Sequence, residues 1–249
     1  MINRIMDQLI RSMAIIKKDI MIYYSKPPVV LMGVLWPAIM FGSFAFGRGM
    51  AVESLIPGLI GVSVFFTCSA ITPVAFPWET AQRTLERLIS SPINTWTILF
   101  GDMVASAIVG VIISIVPILI AIAFGVTFTS PIALIFAIII GSICFATMAL
   151  LLSVAPVSGP HSTQMLSTIV KVPLLFISGV FIPLGNLPAA ARMISYISPL
   201  TYFTDIARYA IGHRHYLPLY IDFTAIIAFI IILWVIAVKL HNRTLPMRV

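Results

Sequence analysis

Six long, almost uninterrupted apolar runs leave this chain little choice of architecture. They lie at about 29–47, 55–77, 98–124, 132–154, 164–182 and 223–240. A helix rising roughly 1.5 Å per residue needs about 20 such residues to cross a hydrocarbon layer about 30 Å thick. The runs are apolar on every face, whereas barrel strands read as short alternating segments, and a helix satisfies its own backbone groups in lipid. The expected class is an all-α polytopic membrane protein with six transmembrane helices. Composition agrees, with 60% hydrophobic residues, 9% charged residues and a mean hydropathy of +1.10, against about 25% charged residues in soluble domains. One transmembrane domain is expected over 1–249: an amphipathic start at 1–26, spans one to five within 29–182, an outer segment at 183–222, the sixth span at 223–240 and a tail at 241–249.

An even number of crossings puts both ends on one side, and basic residues select that side. Arg4, Arg11, Lys17, Lys18 and Lys26, with Arg83 and Arg87 after the second run and Lys239, Arg243 and Arg248 in the tail, make ten on one side. Arg48, Arg192, Arg208 and Arg214 make four on the other, and Lys171 lies inside a run. Both termini and the loop at 79–92 are therefore expected in the cytoplasm, and the protein in the cell (plasma) membrane. The net charge of +7 reads as topology and lipid contact, because no soluble stretch is long enough to offer a nucleic-acid face. Cys68 and Cys144 fall inside runs and read as small apolar groups. His161, His213, His215 and His241 lack the cysteine and carboxylate company of a zinc site, so no metal is expected. The first residues hold no continuous apolar core of a secretory signal.

Within the N-terminal arm, Ile2, Ile5, Leu9, Met13, Ile16 and Ile20 recur at steps of three and four, with Arg4, Asp7, Arg11 and Lys18 mostly between them. The spacing predicts an amphipathic helix lying in the anionic headgroup layer, a stripe that suits a soluble partner as well. Pro27-Pro28 is expected to stop it. A second short helix is expected at 79–92, where Leu85, Leu88 and Ile89 share a face, Glu79 and Arg83 stand at i, i+4, and Pro77 and Pro92 bracket the segment. Three apolar side chains on one face and fixed ends describe a docking knob better than a solvated connector. Further on, 183–222 is too broken by Pro183, Pro188, Pro199 and Pro218 to be an ordinary span. Two short helices, at 189–196 and 202–211, are expected there as an outer re-entrant or interfacial hairpin, with Tyr196, Tyr202, Tyr209, Tyr216 and Tyr220 fitting an interface belt.

Glu79, Thr84-Leu85-Glu86, Leu88 and Ser91-Pro92 resemble the cytoplasmic coupling helix of ABC-2 type transporter permeases. Arg83 stands where that family often has Gly. Ser178-Gly179-Val180-Phe181-Ile182-Pro183, Leu187-Pro188 and Ser198-Pro199-Leu200-Thr201-Tyr202, followed by Asp205 and Arg208, resemble the family's external segment before its last helix, with Ser198 where Asn is usual. The resemblance covers essentially the whole chain and is closest to drug-resistance exporter permeases of the daunorubicin type. It implies an export subunit without a motor, paired with a second permease copy as a homodimer and with two ATP-binding subunits that carry ATP and Mg. Glu79, Arg83, Thr84, Leu85, Glu86, Arg87, Leu88 and Ile89 would couple to them. The chain has no Gly-x-x-x-x-Gly-Lys-Ser/Thr loop, so no cofactor and no catalysis of its own are expected.

Ionisable residues at depth are costly and mark candidate pathways. Lys171, in the fifth run beside Pro173, and Asp102, in the third, are the candidates, together with Ser178 and Phe181. Lys171 also suits snorkelling toward the loop of Pro156, Pro160 and His161, and Asp102 suits a helix start touching headgroups. Pro183, Pro199, Tyr202, Asp205 and Arg208 are candidates for an outer gate. Pro37 and Pro117 are expected to kink the first and third spans. The greasy runs point to an apolar or amphipathic cargo such as a drug, a lipid or a lipid-linked glycan. A non-ATP-linked carrier or channel is the alternative, although no internal repeat supports it.

Overall fold

A computed structural model describes residues 2–24, 31–49, 51–82, 93–154 and 159–244. Every element among these residues is helical. In chain order they are α1 (Ile2–Asp19), α2 (Trp36–Arg48), α3 (Val52–Cys68), α4 (Thr72–Ala81), α5 (Thr95–Ala123), α6 (Pro131–Ser153), α7 (Pro160–Ile177), α8 (Ala189–Ser195), α9 (Pro199–Ala210) and α10 (Leu219–Thr244). Wider π-type turns at Ile20–Tyr24 and Leu31–Leu35 continue α1 and lead into α2, and a single 3₁₀ turn at Leu184–Asn186 precedes α8.

Four helical stretches are long and apolar enough to cross a membrane: Val52–Ala81 taken through its break, Thr95–Ala123, Pro131–Ser153 and Leu219–Thr244, with a shorter apolar helix at Gly33–Gly47. The run expected at 55–77 is broken at residues 69–71, so it forms α3 and α4 rather than one rod. Pro77 lies inside α4 and does not open a separate helix as the sequence suggested; Glu79 sits in the last turn of α4. Pro37 stands where the π-type turn Leu31–Leu35 passes into α2. Pro117 is inside α5.

Long-range contacts sort the helix ends into two groups. At the near end, which holds α1, the Lys18 ammonium pairs with Glu79 and Ser153 Oγ meets His241 Nε2 at 3.0 Å. At the far end, Ser130 N donates to Ala210 O at 3.0 Å and Arg208 Nη2 donates to Gly179 O. The chain therefore runs back and forth between two ends of one bundle.

The deepest element is α9, every residue of which is buried except Tyr209. It packs against α3, α6 and α10, and Phe203 continues an aromatic series in which Phe65 meets Phe145 edge-on at 5.1 Å and Phe145 meets Phe203 at 5.6 Å. This corrects the interfacial-cap reading of the second hairpin helix. It also removes Tyr202, 8% exposed with its hydroxyl on Tyr196 O at 3.0 Å, from the interface belt. By contrast Met193 and Ile194 on α8 are exposed.

Candidate functional site

The near end gathers the charged residues. The apolar stripe on α1 was expected to face the headgroup layer or a soluble partner; Met13 is 66% exposed, and the side chains buried against the bundle are Ser12, Ile15 and Asp19, a seam at steps of three and four. That seam lies on α5: Gln8 Oε1 accepts from Thr97 Oγ1 at 2.8 Å and from Asn94 N at 3.2 Å. Ile15 packs so close that a Cβ added at Gly101 would stand 2.8 Å from its Cβ. The small residue lets two helices approach, as in membrane helix pairs generally. The helix thus turns a narrow, partly polar seam to the bundle, with Ile16 packed at its edge and Ile10 and Met13 outward.

Glu79 is 4% exposed and receives the Lys18 ammonium, which also lies 3.1 Å from Asp19 Oδ1. Its partner is Lys18, 61 residues away, and the Arg83 proposed for it from the i, i+4 spacing lies outside the described residues. Beside this pair Tyr24 Oη meets Thr72 Oγ1 at 2.8 Å, and Tyr23 stacks on Trp78 with ring centroids 6.2 Å apart. The N-terminal unit therefore clasps the end of α4 with one set of contacts and the beginning of α5 with another. Those two helix ends flank residues 83–92. Arg83, Thr84, Leu85, Glu86, Arg87, Leu88 and Ile89 lie outside the described residues, as does Pro27-Pro28.

Burial pulls the Lys18 ammonium toward neutrality, yet the attraction of Asp19 and Glu79 outweighs it and holds its pKa above the ordinary value. Burial pushes the Asp19 carboxyl up from 3.8 to about 6, more than Lys18 lowers it. A raised carboxyl means that the docked helix binds this proton more tightly than the free one, so docking is strongest at low pH and weakens as pH rises through the window from 3.8 to about 6. A spin label at residue 13 is expected to become more mobile across that window, and Asp19→Asn is expected to flatten the profile and leave the label immobile at neutral pH. An unchanged profile in the variant would show that another group titrates.

Asp102 was a pathway candidate, with a helix start touching headgroups as the alternative. It lies two turns into α5, is 3% exposed, and neither carboxyl oxygen has a hydrogen-bond partner among the described residues. Lys171 does not snorkel toward the loop at 155–161. It is 2% exposed, donates to Ser69 O at 2.9 Å, and stands 5.8 Å from the Phe66 ring centroid. Its cation thus meets a carbonyl freed where α3 ends, the position at which a helix favours positive charge. Gln164 and Ser167 share its face of α7 and each carries a buried oxygen without a partner among the described residues. A crevice of about 390 Å³ opens between α4 and α7 beside Gln164, Trp78 and Gln82.

The remaining candidates lie elsewhere. Ser178 donates to Leu175 O at 2.7 Å and Phe181 packs with Phe41, Phe44 and Phe176, all at the far end, so they are not brought to Lys171. Pro183 is exposed in the turn before α8 and Pro199 begins α9. Asp205 accepts Tyr216 N and Leu217 N at 2.9 and 2.8 Å, and Arg208 pins Gly179. Lys18, Asp19 and Ser69 went unnoticed as site residues, since no local spacing joins them to their partners. Among the described residues no His, Cys, Asp and Glu group could hold a metal ion.

Comparison with known proteins adds a family. Residues 11–211 match a family described as "ABC-2 type transporter". The probable multidrug ABC transporter permease YbhR of Escherichia coli (strain K12) is 28% identical over 160 residues, 62% of this chain and 42% of the relative. The inner membrane transport permease YadH of the same strain is 26% identical over 225 residues, 87% of this chain and 86% of the relative. ABC transporter G family member 20 of Dictyostelium discoideum is 31% identical over 198 residues, 77% of this chain and 27% of the relative. The chain thus spans 42% of the length of YbhR and most of that of YadH.

Proposed function

The chain belongs to the ABC-2 type transporter family, and from that premise we propose that it is the membrane-spanning permease subunit of an ATP-driven exporter. It crosses the plasma membrane six times with both termini in the cytoplasm, and works as a homodimer with two ATP-binding subunits that hold ATP and Mg. Those subunits dock at 79–92, near the near-end clasp. Its substrate is apolar or amphipathic, a drug, a lipid or a lipid-linked glycan; the drug class is the one in the name of YbhR. The chain itself catalyses nothing. The observation that carries this reading is the family match across 11–211, which includes the whole of the 79–92 segment.

The clasp supports a mechanical role. Lys18–Glu79, Tyr23–Trp78 and Gln8–Thr97 tie the two helix ends beside 83–92 to one amphipathic helix. A push delivered there moves α4, α5 and α1 as a body. The motion would reach the break at 69–71, where Lys171 holds Ser69 O. Lys171, Gln164 and Ser167 then form the polar side of a pathway entered from the crevice at Gln82, whereas Ser178, Phe181 and the gate residues Pro183, Pro199, Tyr202, Asp205 and Arg208 belong to its far end.

Affinity purification of the tagged chain is expected to bring down an ATP-binding subunit whose ATPase responds to the permease. Changing Leu85 to Asp or Glu86 to Lys is expected to lower that response about tenfold or more, as loss of an anchoring contact of 1.4 kcal/mol or above would. Impermeant labelling of Gln82→Cys should fail from outside intact cells. Purification without any ATPase would favour the carrier or channel, and labelling from outside would overturn the orientation.

A further inference from the structure

A cavity of about 410 Å³ at the far end is lined by three arginines and two histidines, Arg192 from α8, Arg208 from α9, and His213, Arg214 and His215 from the loop before α10, together with neutral residues such as Ser54, Asn186 and Tyr216. A single carboxylate, Asp205, shares the lining, and both its oxygens are already engaged by backbone N–H groups of Tyr216 and Leu217. Glu53 approaches only the rim, 3.9 Å from His213. Arg192 is largely spent on the wall, donating to Leu184 O at 3.1 Å, Leu187 O at 3.0 Å and Tyr216 Oη at 2.6 Å.

Arg208 is different. It is 5% exposed, and while Nη2 serves Gly179 O, Nη1 has no partner among the described residues. Asp205 lies close enough to attract this guanidinium, but its oxygens are held by Tyr216 N and Leu217 N, so the buried Nη1 keeps an unused donor, which is costly unless an acceptor completes it. Planar guanidinium forks match phosphate and carboxylate oxygens, and the volume is in the range of small-ligand sites.

We propose that this cavity binds a phosphate-type oxyanion, with Arg208 as its buried anchor and Arg214 as its outer contact. The anion arrives either on a lipid headgroup or free in solution, and the chemistry of recognition is the same. The inference stands on the cavity alone and does not need the export reading.

The full-length chain, purified in detergent, is titrated with inorganic phosphate by calorimetry, and in parallel the retention of phosphatidylglycerol is counted by native mass spectrometry. Wild type is expected to bind one such group per chain. Arg208→Gln is expected to weaken binding at least tenfold and Arg208→Lys to retain an intermediate affinity. Because Arg208 also holds the Gly179 turn, Arg214→Gln, on an exposed residue, provides a variant that folds normally and is expected to weaken binding severalfold. Phosphate binding lost in these variants identifies a free anion, and lipid retention lost without phosphate binding identifies a headgroup; both support the site. If wild type binds neither probe, or if neither Arg214→Gln nor Arg208→Gln changes the binding of either probe, the proposal is overturned.

Discussion

Replacing Lys18 with methionine is expected to loosen the N-terminal helix from the bundle at a cost of about 3 kcal/mol, because it leaves Glu79 and Asp19 buried without the ammonium that faces both. Breaking a buried ion pair by removing one partner costs roughly 3–5 kcal/mol, and the lower end applies since the Lys18 side chain keeps 27% of its exposure. The loss belongs to the abandoned carboxylates, so adding Glu79→Gln to Lys18→Met is expected to recover at least half of it. Glu79→Gln alone should cost less than Lys18→Met alone. Spin-label mobility at residue 13 and thermal unfolding of the purified chain give the four corners of the cycle. Additive losses would mean that the two side chains stabilise the clasp separately, and the mechanical coupling derived from their contact would lose its support.

Gly110→Ala is expected to destabilise the bundle strongly. A Cβ there would fall 2.2 Å from Cys68 Sγ and 3.2 Å from Ser142 Oγ. Neither neighbour can swing clear: Cys68 is fully buried at the last turn of α3, whose carbonyl also accepts from Ser106 Oγ. Overpacking a well-filled core costs about 1–3 kcal/mol, and the upper end is expected because two helix backbones must separate. Cys68→Ala should be mild alone and, combined with Gly110→Ala, should return stability to within about 1 kcal/mol of wild type, since the new methyl occupies space vacated by sulfur. Thermal unfolding in detergent and the folded yield check this. An additive double variant would show that α3 and α5 do not meet at this pair.

Much of the fold was legible in the chain. The apolar runs placed α5, α6 and α10 to within a few residues, and the short helices expected at 189–196 and 202–211 correspond to α8 and to α9, which begins three residues earlier, at Pro199. The break between α3 and α4 was missed although Pro73, in the first turn of α4, has no N–H to give Ser69 O four residues back; what the sequence did not show is that Lys171 takes that carbonyl. The sequence leaves the burial of α9 open, since its segment reads equally as a re-entrant gate or an interfacial cap with Asp205 and Arg208 as gate candidates; their partners are a loop backbone 11 and 12 residues on and a glycine carbonyl 29 residues back.

The sequence by itself determined that the chain is helical and membrane-embedded, and which segments would be helices, because the cost of unsatisfied backbone in lipid depends on local composition alone. Tertiary structure decided which faces meet. Helices that are apolar all round carry no periodic mark of their inner side, since lipid tails are as apolar as the core. The contacts that orient them, Lys18 with Glu79 across 61 residues and Lys171 with Ser69 across 102, rest on single polar groups that only the folded arrangement brings together.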